Sequence, residues 1–178
     1  MKKLKITEMN RLTVEEFKQE TKTPLILVLD NVRSLHNVGS VFRTGDAFLV
    51  ESVYLCGITS TPPHAEIHKT ALGAENTVDW KYFEDTHEAV KYLKSEGYTV
   101  FAIEQAEGST MLPDLKLDKS KKYAVILGNE VKGVLQSVVD ACDGCIEIPQ
   151  FGTKHSLNVS VTGGIIIWEF FKMIASNP

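Results

Sequence analysis

Short apolar runs separated by amphipathic stretches constrain this chain more than any other feature of its sequence. The runs are LILVLD at 25–30, SVYLCG at 52–57, VDWKYF at 78–83, YTVFAIE at 98–104, KKYAVILG at 121–128 and CIEIP at 145–149. Apolar runs of this length, bounded by glycine, proline or polar residues, read as buried strands. Between them the pattern turns helical. Val38, Val41, Phe42 and Phe48 share one face of a helix expected to begin near Asn37. Further helices are expected over 68–72, 86–96, 131–141 and 159–174. Thr13 with Glu16 three residues on makes a capping box, so a short helix opens there, and Pro24 is expected to close it. Strands that alternate with helices along the whole chain predict an α/β fold with a mostly parallel sheet between helices.

Composition removes several alternatives. The 178 residues suffice for one domain with a substantial core. The net charge of -4 argues against a protein that coats nucleic acid by charge alone. Lysines and arginines do gather at positions 2, 3, 5, 11, 18 and 22, and again at 116, 119, 121 and 122. The longest apolar stretch, 165–174, is broken by Glu169 and Lys172, so no membrane association is expected. The N-terminus carries lysines but lacks the apolar core and cleavage site of a signal peptide, which makes a cytoplasmic location the expectation. Three cysteines give no disulfide framework. Cys142 and Cys145 form one CxxC without a second pair, which reads as two thiols near a helix end and not as a metal site.

In parallel sheets, ligands bind at the loops that leave the carboxyl ends of strands. Three segments rich in glycine and polar residues hold such positions: 30–45, 128–133 and 148–158. No GxGxxG, GxxxxGK[ST] or GxSxG pattern accompanies them, which argues against dinucleotide, P-loop and hydrolase chemistry.

The three segments read NVRSLHNVGSVFRT at 31–44, ILGNEVKG at 126–133 and IPQFGTKHSLNVSV at 148–161. Together, in this order and spacing, they resemble the SpoU/TrmH branch of the SPOUT superfamily of RNA methyltransferases. The resemblance covers roughly residues 24–175. It implies a domain over 24–178 whose C-terminal region passes through a deep trefoil knot, after a short helical extension at 1–23. It also implies transfer of a methyl group from S-adenosylmethionine to a ribose 2'-hydroxyl by in-line displacement, with no metal. Orientation carries much of such a reaction.

The resemblance assigns catalytic roles to Arg43, Asn37, Glu130, Ser156 and Asn158. It assigns cofactor binding to Leu127, Gly128, Asn129, Gly133, Ile148, Pro149, Gln150, Ser156 and Leu157. An arginine is a poor base, so Arg43 is expected to hold the adjacent phosphate and lower the pKa of the attacking hydroxyl. Each assignment has a plainer counterpart. Arg43 is one turn from Asp46 and can pair with it. Asn37, Ser156 or Asn158 can be a helix N-cap. Glu130 can be a solvated surface charge. The two glycines can simply make a turn. Asn31 and Thr44 read as structural, and His36 and His155 are not required by the chemistry. Gln150 departs from the methionine that often follows Ile-Pro in the family.

Further expectations are a homodimer joined through the knot-region helices and a structured RNA substrate. Transfer RNA is favoured over ribosomal RNA because the larger N-terminal RNA-binding domain of several ribosomal members is missing. Two alternatives stand beside this reading: an RNA-binding or assembly protein that keeps the fold without catalysis, and a methyltransferase acting on base nitrogens.

Overall fold

The computed structural model describes residues 1–175. In chain order its elements are α1 (Val14–Gln19), β1 (Thr23–Asp30), α2 (Leu35–Ala47), β2 (Val50–Cys56), α3 (Ala65–Ala71), α4 (Ala74–Thr77) and β3 (Asp79–Phe83). They continue with α5 (Thr86–Ser95), β4 (Tyr98–Ile103), β5 (Thr110–Met111), β6 (Lys122–Leu127), α6 (Gln136–Ala141), β7 (Gly144–Glu147) and α7 (Val159–Ile174). The strands form one sheet in the order β3-β2-β1-β6-β4-β7-β5. Every neighbouring pair is parallel. All carboxyl ends therefore lie along one edge of the sheet.

The central strands are apolar throughout because both faces are covered. Along β1, Leu25, Leu27 and Leu29 enter a core with α2 and α7. Ile26 and Val28 enter a second core with α5 and α6. Helix α1 contributes Phe17 to the first of these, 4% exposed, so the N-terminal helix is anchored to the sheet domain. The Thr13 capping box forms as the sequence indicated. No helix among the described residues is long and apolar enough to cross a membrane.

Several boundaries differ from expectation. The helix expected over 131–141 begins only at Gln136. Asn129 Oδ1 accepts from the N–H groups of Val131 and Lys132, at 2.9 and 3.1 Å. The backbones of Asn129 and Gly133 bond to each other in both directions. Gly133, at φ +66°, then takes the backbone out of the right-handed helical region and closes the segment as a turn. Helix α2 begins two residues before Asn37, and its N-cap is Ser34, whose hydroxyl accepts from Asn37 N. Pro24 does not stop α1, which ends at Gln19; it lies at the start of β1, where a missing N–H is tolerated and the register is irregular. The helix expected over 68–72 is α3, which begins earlier, at Ala65, and ends where Leu72 adopts φ 53°; α4, just beyond it, was not expected. The closing helix spans Val159–Ile174, as expected.

After β7 the chain turns back across the sheet, and α7 packs on β1, β6 and α2. Phe170, fully buried, meets the ring of Tyr123 edge-on at 5.8 Å. Truncating it leaves a cavity between α7 and the sheet. Phe170→Ala should lower stability by about 3–5 kcal/mol, read as a lower urea midpoint at unchanged slope and fixed protein concentration.

Candidate active site and cofactor cleft

Because β4 lies between β6 and β7, the loops after β6 and β7 meet above the end of β4. They enclose a cleft of 310 Å³. Ile103, Leu127, Ile148 and Leu157 supply its apolar walls, and Glu104, Gln150, Ser156 and Thr162 its polar groups. Asn129 and Gly133 also line it. Of the residues expected to bind cofactor, only Pro149 is not part of the lining.

Gly128 is required by close approach. A methyl group there would overlap the backbone of Gly133 and Val134. Gly133 has φ +66°, and a methyl on it would overlap the Glu104 carboxylate. The turn therefore folds tightly under the cleft, whose lining combines apolar walls with polar side chains and backbone. That combination suits an adenosine-sized ligand.

Glu130 is not a solvated surface charge. Its carboxylate accepts from the backbone N–H of Arg33 at 3.0 Å and of Ser34 at 2.9 Å, where α2 begins. It also accepts from Asn37 Nδ2 at 3.1 Å. Partial burial alone would raise its pKa, but the Arg33 and Ser34 N–H groups outweigh it, and the carboxyl is held below its ordinary 4.5. Asn37 is itself buried, at 7% exposure. Its Oδ1 accepts from Asn158 Nδ2 at 3.1 Å. Asn158 is the N-cap of α7, its Oδ1 accepting from Ser160 N and Val161 N. One chain of hydrogen bonds thus joins Glu130, Asn37 and Asn158, one from each of the three polar segments.

Ser156 is exposed and lines the cleft; it is not the helix cap. Arg43 is exposed on α2 and does not line the cleft. It lies six residues beyond Asn37, hence roughly 9 Å further along the helix and about 120° around it. Among the described residues it makes no ion pair. Asp46 instead accepts from Thr77 Oγ1. The four other catalytic candidates thus gather at or beside the cleft, while Arg43 stands apart within one chain.

Asn31 and Thr44 are structural. Asn31 bridges Asp30 and Ile58 N, and Thr44 donates to Ser40 O. His36 pairs with Glu66 at 3.1 Å. Cys142 donates to Val138 O and Cys145 to Glu104 O. Burial pushes both thiols up, Cys142 to about 12, so neither supplies a ready thiolate. Among the described residues no three histidine, cysteine or carboxylate side chains are grouped to hold a metal.

The sequence reading missed Glu104. Its two oxygens accept from Val134 N at 3.0 Å and Gln105 N at 3.1 Å, so it braces the turn under the cleft from the β4 side. A polar residue ending an apolar strand of a parallel sheet was the available signal.

The fold and this edge define an α/β domain whose ligand cleft is made by strand-end loops and closed by a returning C-terminal helix. The SpoU rRNA Methylase family matches residues 24–168, and the chain belongs to that family. It is 33% identical to a tRNA (guanosine(18)-2'-O)-methyltransferase of Thermus thermophilus, over 92% of this chain and 82% of the relative. It is 32% identical to the 23S rRNA (guanosine-2'-O-)-methyltransferase RlmB of Nitrosomonas europaea, over 94% of this chain but 64% of that one. Among solved structures, the A. aeolicus TrmH/SpoU tRNA modifying enzyme superposes with a TM-score of 0.78 at 26% identity, covering 90% of this chain and 81% of that one. An AdoMet-bound rRNA methyltransferase from Sinorhizobium meliloti gives 0.78 at 26%, covering 92% and 60%. The chain thus spans less than two thirds of the Nitrosomonas and Sinorhizobium proteins.

The depressed Glu130 pKa makes a prediction about acid stability. A carboxylate with a lowered folded pKa stabilises the fold above its unfolded value, and that contribution is lost as the pH falls through the folded value. Urea midpoints of the wild type should therefore fall as the pH drops through and below 4.5. Glu130→Gln should be less stable at neutral pH and should show a shallower decline over that acidic range. Parallel declines in the two proteins would contradict the assignment.

Proposed function

We propose that this chain transfers a methyl group from S-adenosylmethionine to a ribose 2'-hydroxyl of structured RNA. The observation that carries this reading is the Glu130–Asn37–Asn158 chain of hydrogen bonds beside a strand-end cleft of 310 Å³ lined by Leu127, Ile148 and Leu157. Leu127, Ile148 and Leu157 would hold the adenine, with Gly128, Asn129 and Gly133 giving backbone access and Gln150 and Ser156 polar contacts. When bound, the cofactor supplies an electrophilic methyl group on a sulfonium sulfur. Transfer RNA is the favoured substrate in this reading, as it is for the Thermus relative that is 33% identical to this chain.

Arg43 acts in this reading from a second copy of the chain. It is exposed, in no ion pair among the described residues, and outside the cleft of its own chain. Helix α7 carries exposed Val161 and Trp168, with Trp168 packed on Phe48 and Phe171 at 5.5 and 6.2 Å. An apolar face of this kind beside α2 supports a homodimer through α2 and α7. The guanidinium then holds the phosphate next to the reacting ribose and stabilises the developing alkoxide, while the proton leaves to phosphate or water. Asn37 and Asn158 keep α2 and α7 in register, and Ser156 orients the ribose or the cofactor from the cleft wall. A deep trefoil knot in this segment belongs to the same reading, in keeping with the packing of α7 on β1, β6 and α2 after β7.

The test is label transfer from S-adenosylmethionine to undermodified total RNA, followed by nucleoside mass spectrometry. Wild type should yield a 2'-O-methyl nucleoside, and Arg43→Ala should reduce the rate by about a hundredfold or more while keeping affinity for S-adenosylhomocysteine. A methylated base instead would point to nitrogen chemistry, and RNA binding without transfer to a non-catalytic role. Co-expressing Arg43→Ala with Gly128→Val should restore activity that neither variant has alone, since a mixed dimer holds one intact arginine facing one intact cleft. No restoration would mean that Arg43 serves its own chain.

A further inference from the structure

Phe151 is 95% exposed, on the loop between β7 and α7. Its neighbour Gln150 lines the cleft, as do His155 and Ser156 further along the same loop. Residues 151–158 are all exposed, and a methyl on Gly152 would meet nothing within 4 Å. The fold makes no use of the ring: it belongs to neither core. A large apolar side chain left in water at a site's mouth is a feature of surfaces that something else covers.

The surrounding charge indicates what covers it. Lys154 on the same loop, Lys132 on the facing loop and Arg33 beside Glu130 are exposed. None of them makes an ion pair among the described residues. The acidic groups of the rim are already engaged: Glu130 and Glu104 each accept two backbone N–H bonds. An exposed aromatic ring on a cleft loop, with unpaired cations on that loop and on the loops facing it, on a chain of net charge -4, fits an unstacked base with its phosphates better than an apolar protein face.

We propose that Phe151 is the stacking platform for an RNA base splayed out at the mouth of the cleft, holding its ribose over the site. The ring needs no hydrogen bonds to do this, so it grips any base and sets the depth of entry. Base identity is then read elsewhere. This deepens the proposed function and rests on the RNA reading of the site.

The test compares two short single-stranded probes of equal length and charge, an oligoribonucleotide and its abasic counterpart, by fluorescence anisotropy with the S-adenosylhomocysteine-bound full chain. Wild type should prefer the base-bearing probe by roughly tenfold. Phe151→Ala should lose that preference, Phe151→Trp should retain it, and calorimetry should give unchanged affinity for S-adenosylhomocysteine in both. The proposal is overturned if Phe151→Ala keeps the preference, or weakens both probes equally. It is also overturned if sedimentation shows that Phe151→Ala alters the oligomeric state, which would assign the ring to contact between copies. The comparison needs no turnover. A wild type that transfers no label would sink the methylation reading alone, while label transfer with no base preference would sink only the role of Phe151.

Discussion

The Glu130 carboxylate at the start of α2 is the contact on which the cleft depends. A helix begins with backbone N–H groups that have no partner within the helix, and an anion there is favoured by both hydrogen bonding and the helix dipole. Glu130 satisfies Arg33 N and Ser34 N and takes a third bond from Asn37. Doing so draws the β6 loop over the end of β1. With the loop in that position, the Asn129–Gly133 turn closes and Gly128 lies against the backbone of Gly133 and Val134. Glu104 completes the bracing from β4.

The same contact reaches the C-terminal helix. Asn37 can donate to Glu130 and accept from Asn158 because an amide carries both kinds of group. Aspartate would lose the donor and leucine both. Asn158 in turn caps α7 with its oxygen and spends its nitrogen on Asn37. Two helices and a loop, distant in sequence, are held at one point by these three side chains. The parallel sheet makes this economical, since its strand ends all face the same way and the connecting loops need only reach across one edge.

Much of this was legible in the residues. Continuous apolar runs gave the central strands, and the Thr13 capping box and the closing helix at 159–174 formed where they were read. The three polar segments marked the edge that carries the cleft. The helix expected from residue 131 was a failure of periodicity: Val131 and Val134 continue an apolar pattern, but Gly133 between them has φ +66° and bonds back to Asn129, so the segment closes as a turn. For Asn37 and Asn158 the sequence left capping and site roles open. The structure gives the cap of α2 to Ser34 and the cap of α7 to Asn158, whose amide nitrogen also bonds Asn37.

By itself the sequence determined the layered α/β architecture, the Thr13 capping box and the types of side chain available at the strand ends, because these follow from local period and short-range hydrogen bonding. Only the tertiary structure decided which of those groups meet. Glu130 and Asn37 are 93 residues apart, and Asn37 and Asn158 are 121. No local pattern encodes such a pairing; it arises from strand order, with β6 set beside β1 and α7 carried back over both. The same order leaves Arg43 turned away from the cleft of its own chain, which the motif alone did not reveal, since a motif records spacing along the chain and a helix sends residues six apart to different faces.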